Sequence, residues 1–227
     1  MTGTLNISRA VKLQERLARK LILAWCGRPI RSIGGADVAY DLDRGLVAAL
    51  IVVCRFPGLE IEETSSAVQK LKIPYIPGFL SFREGPVFLA AFRRLRRHPD
   101  VTLFDGNGIA HPRRMGLASH VGVLLDVPTI GCAKKPFFPF RPPANRRGAA
   151  TTYRNRVGDK VGYCLRTRDD VKPIFISPGH RVDFALSRRV ALSCSHWRIP
   201  EPLRLAHLLA RKVWAESEES RPKATDE

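Results

Sequence analysis

Apolar residues recur along this chain in two rhythms, and the switches between them mark out its elements. From Ser8 to Trp25, Leu13, Leu17, Leu21 and Ala24 fall at helical intervals, with Ser8 placed to cap the first turn and Gly27-Arg28-Pro29 to end the helix. Residues 1–30 therefore read as an N-terminal helical segment. Two β-rich runs follow, Ile33–Tyr40 and Leu46–Phe56, and the short polar turn from Asp41 to Gly45 between them is a hairpin signal. Leu59–Glu62 adds a third, short strand. Pro74 and Pro77 forbid helix and central strand over Ile73–Gly78, which predicts a stiff, exposed loop. From Val87 a helix aligns Phe88, Ala91, Phe92 and Leu95 on one face and arginines on the other.

Val101–Phe104 reads as a buried strand, Gly116–Leu125 as a helix and Pro128–Ala133 as another buried strand, an alternation that predicts parallel pairing. Lys134–Gly148, with four prolines, is expected to be a long loop. Two or three strands follow, Lys160–Arg166 and Lys172–Ser177 being the clearest, and the loop Ser177-Pro178-Gly179-His180 leads into a helix through about Ser193. A last helix spans Leu203 to Trp214, and the polar tail Glu216–Glu227 is expected to be disordered. With no repeat and no linker composition, the 227 residues predict one α/β domain.

Charge changes the picture. Lys and Arg number 38 against 21 Asp and Glu, a formal charge of +17, and the arginines cluster at Arg93-Arg94, Arg96-Arg97, Arg113-Arg114, Arg146-Arg147 and Arg188-Arg189. Such a field concentrates polyanions and points to nucleic acid. The five cysteines, Cys26, Cys54, Cys132, Cys164 and Cys194, are odd in number and form no CxxC pair, which excludes a disulfide framework and a zinc site. No signal-peptide core or membrane-length apolar run occurs, so a reducing, cytoplasmic setting away from membranes is expected.

Against this basic background three acids stand out. Asp37 interrupts one apolar run, Asp105 closes another, and Glu84 opens a helical stretch. A carboxylate in such surroundings shifts its pKa, pairs with a cation or binds a metal. Three of them converging would make a hard-oxygen site suited to Mg²⁺, with a phosphodiester as the partner. Each also has a plainer alternative: Glu84 could close a Ser81-Phe82-Arg83-Glu84 capping box, Asp37 could anchor a turn, and Asp105 could form an Asx-turn.

Longer strings carry more information. Pro74-Tyr75-Ile76-Pro77-Gly78-Phe79-Leu80-Ser81-Phe82-Arg83-Glu84-Gly85-Pro86, Asp105-Gly106-Asn107-Gly108-Ile109-Ala110-His111-Pro112-Arg113 and Gly116-Leu117-Ala118-Ser119-His120 closely resemble endonuclease V, a family of deoxyinosine-directed nucleases. Pro128–Lys134, Ser177–His180 and Pro200–Ala206 match too, so the likeness runs from about Ile33 to Lys212. The resemblance implies a ribonuclease H-like α/β fold, a mixed central sheet flanked by helices. It implies that Asp37, Glu84 and Asp105 are the catalytic carboxylates and hold Mg²⁺, for which Mn²⁺ is expected to substitute. His111 and Lys134 fall at active-site positions, as a metal ligand or proton handler and as a contact to the scissile phosphate. Pro74, Tyr75, Ile76 and Pro77 resemble a strand-separating wedge. Gly78, Leu80, Gly106, Gly108 and Leu117 fall where the family holds a flipped hypoxanthine.

The activity so implied is Mg²⁺-dependent hydrolysis of the second phosphodiester 3′ to deoxyinosine, leaving 3′-hydroxyl and 5′-phosphate ends, by a monomer acting on DNA. Inosine-containing RNA, branched or mismatched DNA, and binding without catalysis remain as alternatives. One departure is visible: Lys135-Pro136-Phe137-Phe138-Pro139-Phe140 follows Lys134, where the family carries smaller polar and aliphatic residues.

Overall fold

The computed structural model describes residues 4–219. Thirteen elements follow in order: α1 (Ile7–Ala18), β1 (Ser32–Asp41), β2 (Leu46–Arg55), β3 (Ile61–Lys70), α2 (Leu80–Phe92), β4 (Val101–Phe104), α3 (Leu117–Leu125), β5 (Thr129–Ala133), β6 (Ala150–Arg154), β7 (Lys160–Leu165), β8 (Ile174–His180), α4 (Phe184–Ser193) and α5 (Glu201–Glu219). Eight strands form one sheet in the order β3-β2-β1-β4-β5-β8-β7-β6. β1, β4 and β5 pair in parallel, and every other neighbour is antiparallel. The parallel pairing expected from the alternation of strands and helices is present at β1, β4 and β5, within the mixed sheet that the resemblance implied.

Period-two alternation sends side chains of one strand to opposite faces. On one face Ala36, Val47, Ala49, Ile51 and Phe104 pack against Phe88 and Phe92 of α2 and Leu117 and Val121 of α3. On the other, Ile33, Leu103, Ile130 and Ile176 meet Leu186 and Val190 of α4 and Leu203 of α5, while Leu50, Val52 and Cys54 meet Ala206 and Ala210 of α5. Each large side chain buried this way contributes roughly 1.5–3 kcal/mol. Gly35 lets α5 come this close: a Cβ there would stand 2.0 Å from the Pro202 carbonyl oxygen.

Several boundaries differ from those the pattern predicted. α1 is capped by Asn6, whose side chain accepts from the Arg9 amide at 3.0 Å, not by Ser8, and it stops at Ala18. Leu21 and Leu23 instead lie in irregular chain and pack beside Phe138, Tyr153 and Phe175. The Ile22 carbonyl accepts from the Arg181 amide at 2.6 Å. β3 is ten residues long, far beyond Glu62, because its ladder with β2 needs no apolar face at the sheet edge. α2 begins before Val87 and carries Pro86 inside it, so Glu84 lies within the helix and does not open it. Ser177-Pro178-Gly179-His180 belongs to β8, paired along β5, and is not a loop. β6 is the third of the two or three strands expected after the proline-rich loop, the one whose bounds the pattern did not give. α5 runs on to Glu219, so Glu216–Glu219 are helical where a disordered tail was expected, and residues 220–227 of that stretch lie outside the described residues. Among the described residues no helix is long and apolar enough to cross a membrane.

Candidate active site

The sheet itself brings two of the acids together. The parallel register of β1 and β4 runs from Ile33 opposite Val101 to Ala36 opposite Phe104, and the next step along each strand is Asp37 and Asp105. The Asp105 amide donates to the Ala36 carbonyl at 3.2 Å, extending that register into the loop. Asp37 is buried, and its Oδ1 accepts from the Val38 amide at 2.8 Å. Its Oδ2 lies 2.7 Å from Nδ1 of His207 on α5, a nitrogen that donates to the ionised carboxylate. Burial, and then the charge of Asp105, push the Asp37 pKa up against the opposing pull of His207, Val38 and Lys134. Asp105 is partly exposed and ion-paired with Lys134, the first residue beyond β5.

Glu84 reaches the same neighbourhood from α2. It is buried, and the Tyr40 hydroxyl of β1 donates to its Oε1. Arg83 lays its guanidinium 4.8 Å from the centre of the Tyr40 ring. Burial is the main cause that raises the Glu84 pKa to about 7, and the charges of Asp37 and Asp105 add to it, while the Tyr40 hydrogen bond lowers it. The capping box is not formed: Phe79 precedes the helix without a side-chain cap, and Ser81 Oγ is buried without a partner.

The charge of Asp105 thus reaches Asp37, and the charges of both reach Glu84, while each carboxylate is tied to a separate partner. Among the described residues no group of three or more His, Cys, Asp or Glu is arranged to hold a metal ion. The chemistry of the pair on β1 and β4 nonetheless suits a hard divalent cation. Two carboxylates raise each other's energy, and an ion taking an oxygen from each would relieve both the repulsion and the burial of Asp37.

Beside this cluster lies a cavity of about 380 Å³ lined by Gly78, Leu80 and Leu117 together with Tyr75, Ser81, Asn107, His111, Met115 and the chain from Lys135 to Phe137. Gly106 and Gly108 are not among its lining residues, and a Cβ on Gly108 would collide with the Pro178 carbonyl at 2.1 Å, so that glycine serves the seating of the loop on β8. Two buried oxygens of the lining, Ser81 Oγ and Asn107 Oδ1, have no protein partner. Lys134 and Lys135, in the bend that follows β5, divide, one to Asp105 and one to the cavity.

The proline-rich loop forms a rim of this cavity. Pro77 and Gly78 are the central residues of a turn closed by the Phe79 amide on the Ile76 carbonyl at 3.0 Å, and Gly78 takes the positive φ of +80° that such a turn demands. Tyr75 is 64% exposed and does not pack inward. The Gly78 carbonyl accepts three donors: Gln14 Nε2 at 3.1 Å, His111 Nε2 at 3.0 Å and Arg113 Nη2 at 3.0 Å. Arg113 Nε also donates to Gln14 Oε1 at 2.6 Å. His111 receives the Arg113 amide on Nδ1 at 3.2 Å, so both ring nitrogens are occupied by the neutral tautomer. Burial pushes its pKa down to about 4. The imidazole holds the turn; in this arrangement it has no nitrogen to offer a metal or a moving proton.

Sequence reasoning missed His207, Tyr40, Gln14 and Arg113. His207 lies in an amphipathic helix 170 residues from Asp37, and nothing local distinguishes it.

Comparison with known proteins identifies the family. The family model for endonuclease V matches residues 12–208. An endonuclease V from Dictyoglomus turgidum is 45% identical over 213 residues, 93% of this chain and 92% of the relative. The crystal structure of endonuclease V from Streptomyces avermitilis matches with a TM-score of 0.88 at 40% identity, over 96% of this chain and 100% of the other. Ciona intestinalis endonuclease V, in complex with a 24-mer DNA containing an inosine followed by a ribo-adenosine, matches with a TM-score of 0.82 at 27% identity, over 93% and 98% of the two chains. The sheet and its flanking helices are the ribonuclease H-like fold of these structures. On the match across nearly its whole length, the chain belongs to the endonuclease V family, a family of nucleases.

Proposed function

We propose that this chain recognises deoxyinosine in DNA by turning the base out of the stack and hydrolyses the second phosphodiester on its 3′ side. The reading is carried by one observation: a carboxylate pair, Asp37 buried with its pKa pushed up and Asp105 ion-paired with Lys134, stands next to a polar-lined cavity rimmed by an exposed tyrosine. The inosine-containing DNA bound by the Ciona relative supports the choice of substrate. Asp37 and Asp105 would hold Mg²⁺, with Glu84 as the third carboxylate of the cluster. The ion supplies charge neutralisation at the phosphate and eases deprotonation of the attacking water.

The chain's own residues do the rest. His207 fixes the orientation of Asp37 from α5. Lys134, held at the exposed side of Asp105, presents its ammonium to the negative charge that grows on the phosphate oxygens. His111, Gln14 and Arg113 hold the Gly78 carbonyl, and through it the Pro74-Tyr75-Ile76-Pro77 tip that separates the strands. In the cavity, Ser81 Oγ and Asn107 Oδ1 offer hydrogen bonds to a heterocycle's edge, between Leu80 and Leu117. Water is the nucleophile, and the products carry 3′-hydroxyl and 5′-phosphate ends.

The test is nicking of end-labelled duplexes with deoxyinosine or adenine at one position. A single cut one nucleotide beyond the 3′ neighbour of inosine, absent in EDTA and in Asp37→Ala, is the expected result. Equal cutting of both duplexes would overturn the base pocket, and full activity in Asp37→Ala would overturn the metal site. The ribo-adenosine in the Ciona complex favours a second reading, in which a ribose after inosine is accepted. Matched RNA and DNA oligonucleotides in competition decide it.

A further inference from the structure

The departure after Lys134 builds something. Phe137 is 38% exposed, and its ring is shared by two cavities. One is the cavity described above. The other, of about 300 Å³, is lined by Pro112, Phe137, Phe138, Asn155, Arg156 and Val157. Its outer wall is the tip of the β6–β7 hairpin, where Val157 is 81% exposed.

Neither wall is loose. The Tyr153 hydroxyl, on a side chain with no exposed surface, accepts the amides of Phe137 at 2.7 Å and Phe138 at 2.6 Å. At the hairpin tip, Asn155 Oδ1 accepts the Val157 amide at 3.1 Å and the Asp159 amide at 2.8 Å, and Arg154 Nη1 donates to the Gly158 carbonyl at 2.7 Å. The Phe137 ring rests against His111 with centroids 5.5 Å apart. Exposed Phe137 and Val157 thus stand on two firmly held walls of one cavity.

We infer that this second cavity takes an unpaired nucleobase adjacent in the strand to the one in the first cavity, with Phe137 as the ring between them. This rests on the first cavity being the base pocket. Two features select a nucleobase over other occupants. The cavity adjoins the first, with Phe137 lining both, as neighbouring bases of one strand require. Its rim carries Arg156, and Lys135 lines the adjoining cavity, charges that suit the backbone of that strand. Every base has a face for Phe137, and the flat apolar sides of Pro112 and Val157 accept it without reading its edge. The site therefore adds affinity for a flanking nucleotide of any sequence.

The test is binding, by fluorescence anisotropy in EDTA, of single strands carrying deoxyinosine with an intact or an abasic neighbour on each side. Wild type is expected to lose about tenfold in affinity when one particular neighbour lacks its base. Val157→Ser and Phe137→Leu should each shrink that gap; a change at exposed Val157 leaves the fold intact, which a melting curve checks. Equal binding of all strands by wild type, or an undiminished gap in both variants, overturns the proposal. So does a self-association of wild type lost in Val157→Ser without any neighbour effect, which would assign the surface to a second copy. A strand with adenine in place of inosine keeps the two readings apart: a neighbour gap without inosine preference sinks the base pocket and leaves a general stacking site.

Discussion

Two side chains of the cluster make opposite demands on solvent. Glu84 is a buried acid whose pKa rises from the ordinary 4.5 to about 7. Below pH 4.5 it is neutral in folded and unfolded chain alike, and its burial costs no charge. As the pH climbs through 7 the unfolded chain releases its proton first, so the metal-free fold loses stability by about 3 kcal/mol. Wild type minus Glu84→Gln, followed by urea unfolding in EDTA from pH 4 to 8, should show that difference; a pH-independent difference would mean that the Tyr40 contact, not burial, governs this group. The depressed His111 and His120, which do not feel Glu84, cancel in the subtraction. Lys134 is an outward charge, and its loss leaves the fold alone. Lys134→Ala should lower the nicking rate by about 10²-fold with little change in melting temperature. An unchanged rate would return Lys134 to the role of a simple partner for Asp105.

Elements show why parts of the architecture were legible in the sequence and others were not. β1, β2, β4 and β5 are apolar because both faces of the sheet centre are covered, and their runs could be read directly. β3 buries only Ser65 and Ala67, and β6 only Tyr153, so their ladders leave no apolar signature. Pro178 and Gly179 mimic a turn within β8, although Gly108 needs that backbone beside it. The candidate carboxylates could be seen because an acid at the end of an apolar run is costly. His207, Gln14 and Arg113 could not, since each acts across long sequence separations. The contact of β1 with α5 gives a prediction at this scale. In Gly35→Ala the new methyl would meet backbone of Pro202 and Leu203, which cannot swing aside. The variant should lose about 1–3 kcal/mol of stability. It should also lose activity beyond that, because α5 carries His207. Wild-type nicking in a merely destabilised variant would show that His207 is dispensable to Asp37.

The whole molecule acts on nucleic acid first through its charge of +17. If about six phosphates are neutralised, affinity for any duplex should fall by about 10³-fold between 50 and 200 mM salt, for inosine and adenine alike. A shallow salt dependence in an anisotropy titration would assign binding to the cavities more than to the field. Shape ties distant parts together as firmly as charge does. The Gly78 carbonyl takes hydrogen bonds from Gln14 and from the His111–Arg113 segment, and Arg113 in turn bonds Gln14 across 99 residues of sequence. For inheritance this means that the proline tip is not a portable block. A chimera that joins the first helix of one relative to the remainder of another divides the clasp between two lineages, and positions 14, 111 and 113 are bound to evolve as one.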